Sequence, residues 1–162
     1  MWTVEAAEPG DAATVADHWV ALANGQRRYG SHLRAAANRE PIRASMARAA
    51  ADGRLDVARD DDGDVVGFVH YTVERGSLAQ DLTRGVVNDL YVVPERRGEG
   101  IGTALLDAAE ATLRDRGVEA VSVEALADNE RAVRLYERRG YRPHRVELER
   151  EVENDKRSRG DR

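Results

Sequence analysis

The stretch Pro94-Glu95-Arg96-Arg97-Gly98-Glu99-Gly100-Ile101-Gly102-Thr103 carries the densest chemical signal in the chain. An apolar, strand-like run (Val86–Val93) enters it and an amphipathic, helix-like run leaves it. Glycines at three alternate positions open backbone conformations closed to other residues and clear side chains from a ligand's path. Amides freed at the start of the following helix favour an anion, and the helix dipole adds to the attraction. Arg96 and Arg97 place positive charge beside them. The chemistry predicted is a cradle for a phosphate or pyrophosphate. A Walker-type loop would need lysine after the last glycine, where Thr103 stands, and a dinucleotide fingerprint starting at Gly98 would need glycine at 103.

A second group lies downstream. Asn129 and Tyr136 are seven residues apart, about two helical turns, so they share a helix face about 10 Å apart along its axis. Asn129 is also a residue type that caps helix N-termini. There is no cysteine, which removes disulfides, thiolate metal sites and a Cys nucleophile together. The histidines at 18, 32, 70 and 144 show no paired ligand spacing, so no metal site is predicted. No G-x-S-x-G elbow occurs.

The pattern R-x-x-G-x-G, filled by Arg97, Gly100 and Gly102, resembles that of the GCN5-related N-acetyltransferase superfamily. The resemblance reaches back through Asn88-Asp89-Leu90-Tyr91-Val92-Val93-Pro94 and forward through the run from Asn129 to Tyr141. It covers residues 54–141 well and residues 1–53 only in their helix pattern. It implies an α/β acyltransferase fold, a mixed and mostly antiparallel central sheet flanked by helices, with acetyl-CoA as co-substrate in a cleft between the fourth and fifth strands. The main chain of Leu90, Tyr91, Val92 and Val93 would pair with the pantetheine arm, and one amide would polarise the thioester carbonyl. Arg96, Arg97, Gly98, Glu99, Gly100, Ile101, Gly102 and Thr103 would hold the pyrophosphate, with Asn129 near the cofactor arm or only capping its helix.

The same resemblance implies that Tyr136 protonates the departing thiolate, a role suited to a phenol with a reference pKa of about 10. The attacking ammonium must first lose a proton, and the general base is left open. Relatives that acetylate polyamines carry a Glu where Asn88 stands. Asp89 is adjacent, and simple strand alternation points it to the opposite face. Glu124 on the next strand, Glu74 at the end of a hairpin, and a water relay are the alternatives. The acceptor implied is a primary amine on a small molecule or peptide, attacked directly onto the thioester. The competing function is an acyl-CoA-binding sensor without catalysis.

These residues need elements to position them. A strand over Trp2–Ala6 precedes a helix that Asp11 caps and that Gly25 and Gly30 close. A second helix covers Glu40–Ala51, with Pro41 in its first turn. Leu55–Arg59 and Val65–Glu74 form a hairpin across the turn Asp60–Asp64. Val86–Val93 leads through the glycine loop into a helix over Gly102–Arg116. Val118–Ala125 reads as a strand in the sheet centre, and a helix capped by Asp128 or Asn129 runs to Arg139 with Gly140 as its stop. Arg145–Val152 alternates as a last strand.

Composition bounds the rest. The chain of 162 residues fits one domain over 1–152 with a charged tail over 153–162. A formal net charge of −5 argues against a nucleic-acid binder held by bulk electrostatics. No apolar stretch approaches the roughly 20 residues that span a bilayer, and the N-terminus lacks the basic and apolar regions of a signal peptide, so a soluble, cytoplasmic protein is expected. All the basic residues but Lys156 are arginine, as a GC-rich genome or a high-salt habitat would produce. The unpaired edge of a lone terminal strand suggests a two-fold homodimer.

Overall fold

Asp60 closes the hairpin at the middle of the chain. Its Oδ1 accepts hydrogen bonds from the amides of Asp62 (3.0 Å) and Asp64 (2.9 Å), a side chain standing in for turn backbone. The computed structural model describes residues 1–153. The tail expected over 153–162 therefore lies, beyond its first residue, outside the described residues. The hairpin belongs to a five-stranded open sheet ordered as in the chain: β1 (Trp2–Ala6), β2 (Leu55–Asp60), β3 (Val65–Val73), β4 (Arg84–Val92) and β5 (Ala120–Val123). The first four strands pair antiparallel, and β5 runs parallel to β4.

Helices cover both faces of this mixed sheet. On β3, Gly67 faces α3 (Ile101–Asp115), where an added Cβ would come within 3.1 Å of Leu105. Phe68 and His70, of opposite parity to Gly67 or next to it on the pleat, face α1 (Ala12–Gln26), which packs beside α2 (Arg39–Ala51). The core lies between these layers: Val15, Trp19 and Met46 from one side, Leu105, Leu106, Ala109 and Leu113 from the other, with Leu55, Val57, Phe68, Val69 and Val87 on the strands. Arg59 ties β1 to the start of α1 through Glu5 (2.5 Å) and Asp11 (3.0 Å).

Three expectations need correction. Gly25 does not end α1, which runs on to Gln26 and a further 3-10 turn before Gly30 (φ 98°) reverses the chain. The strand read over Val118–Ala125 is shorter, and it lies at the sheet edge, with every residue only half-buried. Its valines and alanines look like a central strand, yet among the described residues no strand pairs with its outer side as β4 pairs with the inner. The strand expected over Arg145–Val152 does not form. Its alternation is real, but among the described residues no strand pairs with it, and Val146, Leu148 and Val152 stand exposed. A side-chain contact from His32 to Glu149 (2.6 Å) holds the segment instead. The sheet edges thus belong to β1 and β5, and the dimer argument built on a terminal strand loses its premise.

Candidate active site

The register of β3 against β4 slips by one residue: His70 pairs with Asp89 but Tyr71 pairs with Val87, which leaves Asn88 as a bulge. The bulge turns two successive side chains to one face. Asn88 donates to Thr72 Oγ1 (3.1 Å) and Asp89 meets His70 Nδ1 (3.3 Å), contacts to β3 residues two apart and therefore on the same face. Strand alternation had placed Asp89 on the opposite face from Asn88; the extra residue overturns that. Asp89 Oδ1 also accepts a hydrogen bond from the Trp19 indole of α1 (3.2 Å).

Beyond the bulge the sheet opens. β4 pairs with β5 only over Arg84–Val87, so Leu90 to Val93 have no strand on that side. The amide of Val93 donates to Val66 on β3, and the antiparallel ladder alternates, so the peptide groups of Leu90 and Val92 point away from β3 into the gap. The Val92 carbonyl accepts from Arg97 Nε (2.9 Å). The side chains of Tyr91 and Val93 are buried, which leaves the backbone as what this segment can offer a ligand.

The loop after β4 ends on α3. Gly98 (φ 84°) and Gly100 (φ 85°) occupy the left-handed region, and open space lies above both. Gly102 is an ordinary helical residue, so two of the three alternate glycines are conformational requirements and the third is not. No side chain caps the first amides of α3 and no acidic residue stands in its first turn, so donors and dipole remain free for an anion. That fits a pyrophosphate. The arginines are more committed than their spacing suggested: Arg96 pairs with Glu99 (2.8 Å) and Asp60 (3.7 Å), and Arg97 folds back over the Tyr91 ring. Ile101 points into the core and Thr103 is half-buried in the first helical turn.

Across the gap stands α4 (Glu130–Arg138). Asn129 Oδ1 accepts from the Ala132 amide (3.2 Å), so its capping role is visible directly. Gly140 (φ 90°) ends the helix while the Tyr141 amide reaches back to the Tyr136 carbonyl. α4 is moored to α3 by Tyr141, which donates to Glu110 (2.8 Å), and by an ion pair between Arg139 and Asp107. The Tyr136 ring packs edge-on to Tyr141 (5.8 Å). Burial, reinforced by the Asp89 carboxylate, pushes the Tyr136 phenol up to about 12. Asp89 and Tyr136, separate in sequence, thus act on each other where β4 and β5 part.

The other carboxylates differ. Glu74 is held by Arg84 (2.6 Å) and Gln80, which pull its carboxyl down to about 2. Glu124 is exposed just past the end of β5.

A sequence profile of the acetyltransferase (GNAT) family matches residues 19–141. The chain belongs to that family. Proteins named mycothiol acetyltransferase resemble it: one from Propionibacterium freudenreichii subsp. shermanii is 44% identical over 85 residues, covering 52% of this chain and 26% of that protein. Another, from Clavibacter michiganensis subsp. michiganensis, is 34% identical over 144 residues, covering 83% and 42%. The chain therefore spans less than half the length of these curated relatives. A GCN5-related N-acetyltransferase from Ralstonia eutropha superposes with a TM-score of 0.73 at 26% identity, covering 94% of this chain and 99% of its own. Within this GNAT chain, sequence reasoning passed over two residues at the site. Trp19 has no site signal of its own in the sequence, and His70 enters there only among the histidines without metal-ligand spacing. Their signal was the partner, Asp89, which the bulge brings to them.

Proposed function

We propose that this GNAT chain transfers an acetyl group from acetyl-CoA to a primary amine, with Asp89 as general base and Tyr136 as general acid. One observation carries the proposal: where β4 and β5 part, the Asp89 carboxylate is close enough to help burial raise the Tyr136 phenol, and the loop after β4 leads into the uncapped start of α3. Bound acetyl-CoA would supply the activated acetyl group. The α3 amides with Gly98 and Gly100 would hold its pyrophosphate, and the Leu90 peptide group and the Val92 amide N–H, both turned to the gap, would pair with its arm and polarise the thioester carbonyl. Asp89 takes a proton from the incoming ammonium, whose reference pKa near 10.4 requires one to leave. Tyr136 gives its proton to the departing sulfur and recovers one from the amide nitrogen, so the products are a neutral amide and a free thiol, and Asp89 returns its proton to solvent.

The acceptor is an amine on a small molecule or a peptide. Its test is a screen of glucosamine, spermidine, kanamycin, a cysteine amide and a short peptide with a free N-terminus, with thiol release from acetyl-CoA as readout. Acetyl-CoA-dependent thiol release above the no-amine rate with at least one amine is the expected result. Stabilisation by CoA with no turnover on any of them would turn the reading toward a binding protein.

A further inference from the structure

The mechanism above leaves one buried group unused. His70 lies on β3 with its Nδ1 3.3 Å from Asp89 Oδ2, and its Nε2 is buried with no hydrogen-bond partner among the described residues. The two ring nitrogens cannot be alike. A hydrogen on Nε2 would be a buried donor with nothing to receive it, and would leave a lone pair on Nδ1 facing a carboxylate. Both features are costly. A hydrogen on Nδ1 removes both, since it points at Asp89 and leaves only an acceptor unsatisfied.

Trp19 completes the arrangement from the opposite helix. Its indole N–H reaches Oδ1 while His70 reaches Oδ2. Each carboxylate oxygen is held by one donor from the protein and keeps a further lone pair to accept with. We propose that His70 is a positioning residue for Asp89: as the Nδ1–H tautomer it donates to the carboxylate, fixes its rotamer and keeps it an anion ready to receive the amine proton. It does not itself meet the acceptor, because its outer nitrogen is buried.

This inference rests on the acetyltransfer reading for its consequence in catalysis, but not for its geometry. The charged and titratable groups around Asp89 are His70 from β3 and Tyr136 from α4, with His18 from α1 and Arg97 beyond them at the Tyr91 ring. α1 meets Asp89 itself with the uncharged Trp19. Losing the His70 donor disfavours the anion, so a base that titrates in the rate should do so at higher pH.

Two measurements decide it. In protein labelled with 15N at histidine, long-range proton–nitrogen correlation should show His70 neutral with its hydrogen on Nδ1, and Asp89→Asn should disturb that pattern. A hydrogen on Nε2, or a pattern indifferent to Asp89→Asn, would overturn the proposal without any acceptor being needed. In rates with whichever screened amine is acetylated, His70→Leu should lower turnover about tenfold, the worth of one hydrogen bond to a charged group. It should also move the acid limb of the kcat/KM profile upward. His70→Asn, whose amide N–H can stand where Nδ1–H stood, should restore the wild-type limb. A wild-type pH profile in His70→Leu counts against the positioning role. Full activity in Asp89→Asn counts instead against Asp89 as the base, so the two ideas fail separately.

Discussion

Burial first, and then the Asp89 carboxylate, hold the Tyr136 phenol near 12 where a free tyrosine stands at 10.0. Its stabilising contribution is therefore fully present below pH 10 and is lost as pH rises toward 12, because the unfolded chain ionises first. A basic limb below pH 10 in the rate profile should not come from Tyr136. Tyr136→Phe should keep acetyl-CoA affinity, measured by calorimetry, and lose about 100-fold in turnover; unchanged turnover would reduce the ring to packing. Asp56 shows the opposite side of burial. It lies beneath the Tyr71 hydroxyl (3.0 Å), and burial pushes its carboxyl up despite that bond and Arg116. A raised pKa means its contribution is largest below the unfolded value of 3.8 and declines as pH rises. Asp56→Asn keeps an acceptor for Tyr71, so an equal or higher Tm at pH 7 is expected, with the difference closing near pH 4. The helix that carries Tyr136, and Asn129 as its cap, were legible in the sequence because helical spacing is a fixed ruler; the part given to Tyr136 came from the family resemblance. The Asp89 partnership was not: a single inserted residue in β4 changes which face a side chain takes, and no periodicity announces it.

At the level of elements, the junction from β4 to α3 depends on two backbone conformations that side chains resist. Gly100→Ala should cost about 1 kcal/mol in folding for its left-handed backbone and little else, since open space surrounds the position. Gly100→Glu adds a carboxylate at the same strained site, beside the free α3 amides. Calorimetry should show its acetyl-CoA affinity well below that of Gly100→Ala, with both variants folded; equal affinities would place the pyrophosphate elsewhere. The strands and helices themselves were mostly readable within two residues, because α3 has an amphipathic run, β3 an apolar one, and Gly140 and Pro94 mark ends. The end of α1 was misread because a glycine in the last turn of a helix need not stop it when Trp19, Ala23 and Gln26 continue the buried or half-buried face.

Across the whole molecule, the sheet order could not be taken from the strands alone. Ala120–Val123 carries the apolar run of an interior strand yet lies at the rim, and the alternating run Arg145–Val152 lacks the neighbour that alternation presupposes. Pairing is a property of two segments, and each sequence pattern describes one. The limited contact between β4 and β5 has a consequence for how this protein comes apart. Four residue pairs, an α4 helix with no fully buried residue, and a few side-chain moorings to α3 attach the C-terminal third to a body whose strands β2 and β3 are mostly buried. Regions with few buried contacts open at lower free energy than the rest. Amide exchange should be fastest, among paired amides, in β5 and α4, and slowest in β2 and β3. Acetyl-CoA, if it spans the gap, should slow exchange in α4 and in the start of α3 together, which no ligand seated on one of them alone would do. The proton donor of the proposed reaction would then ride on the part of the fold that is least secured before substrate arrives.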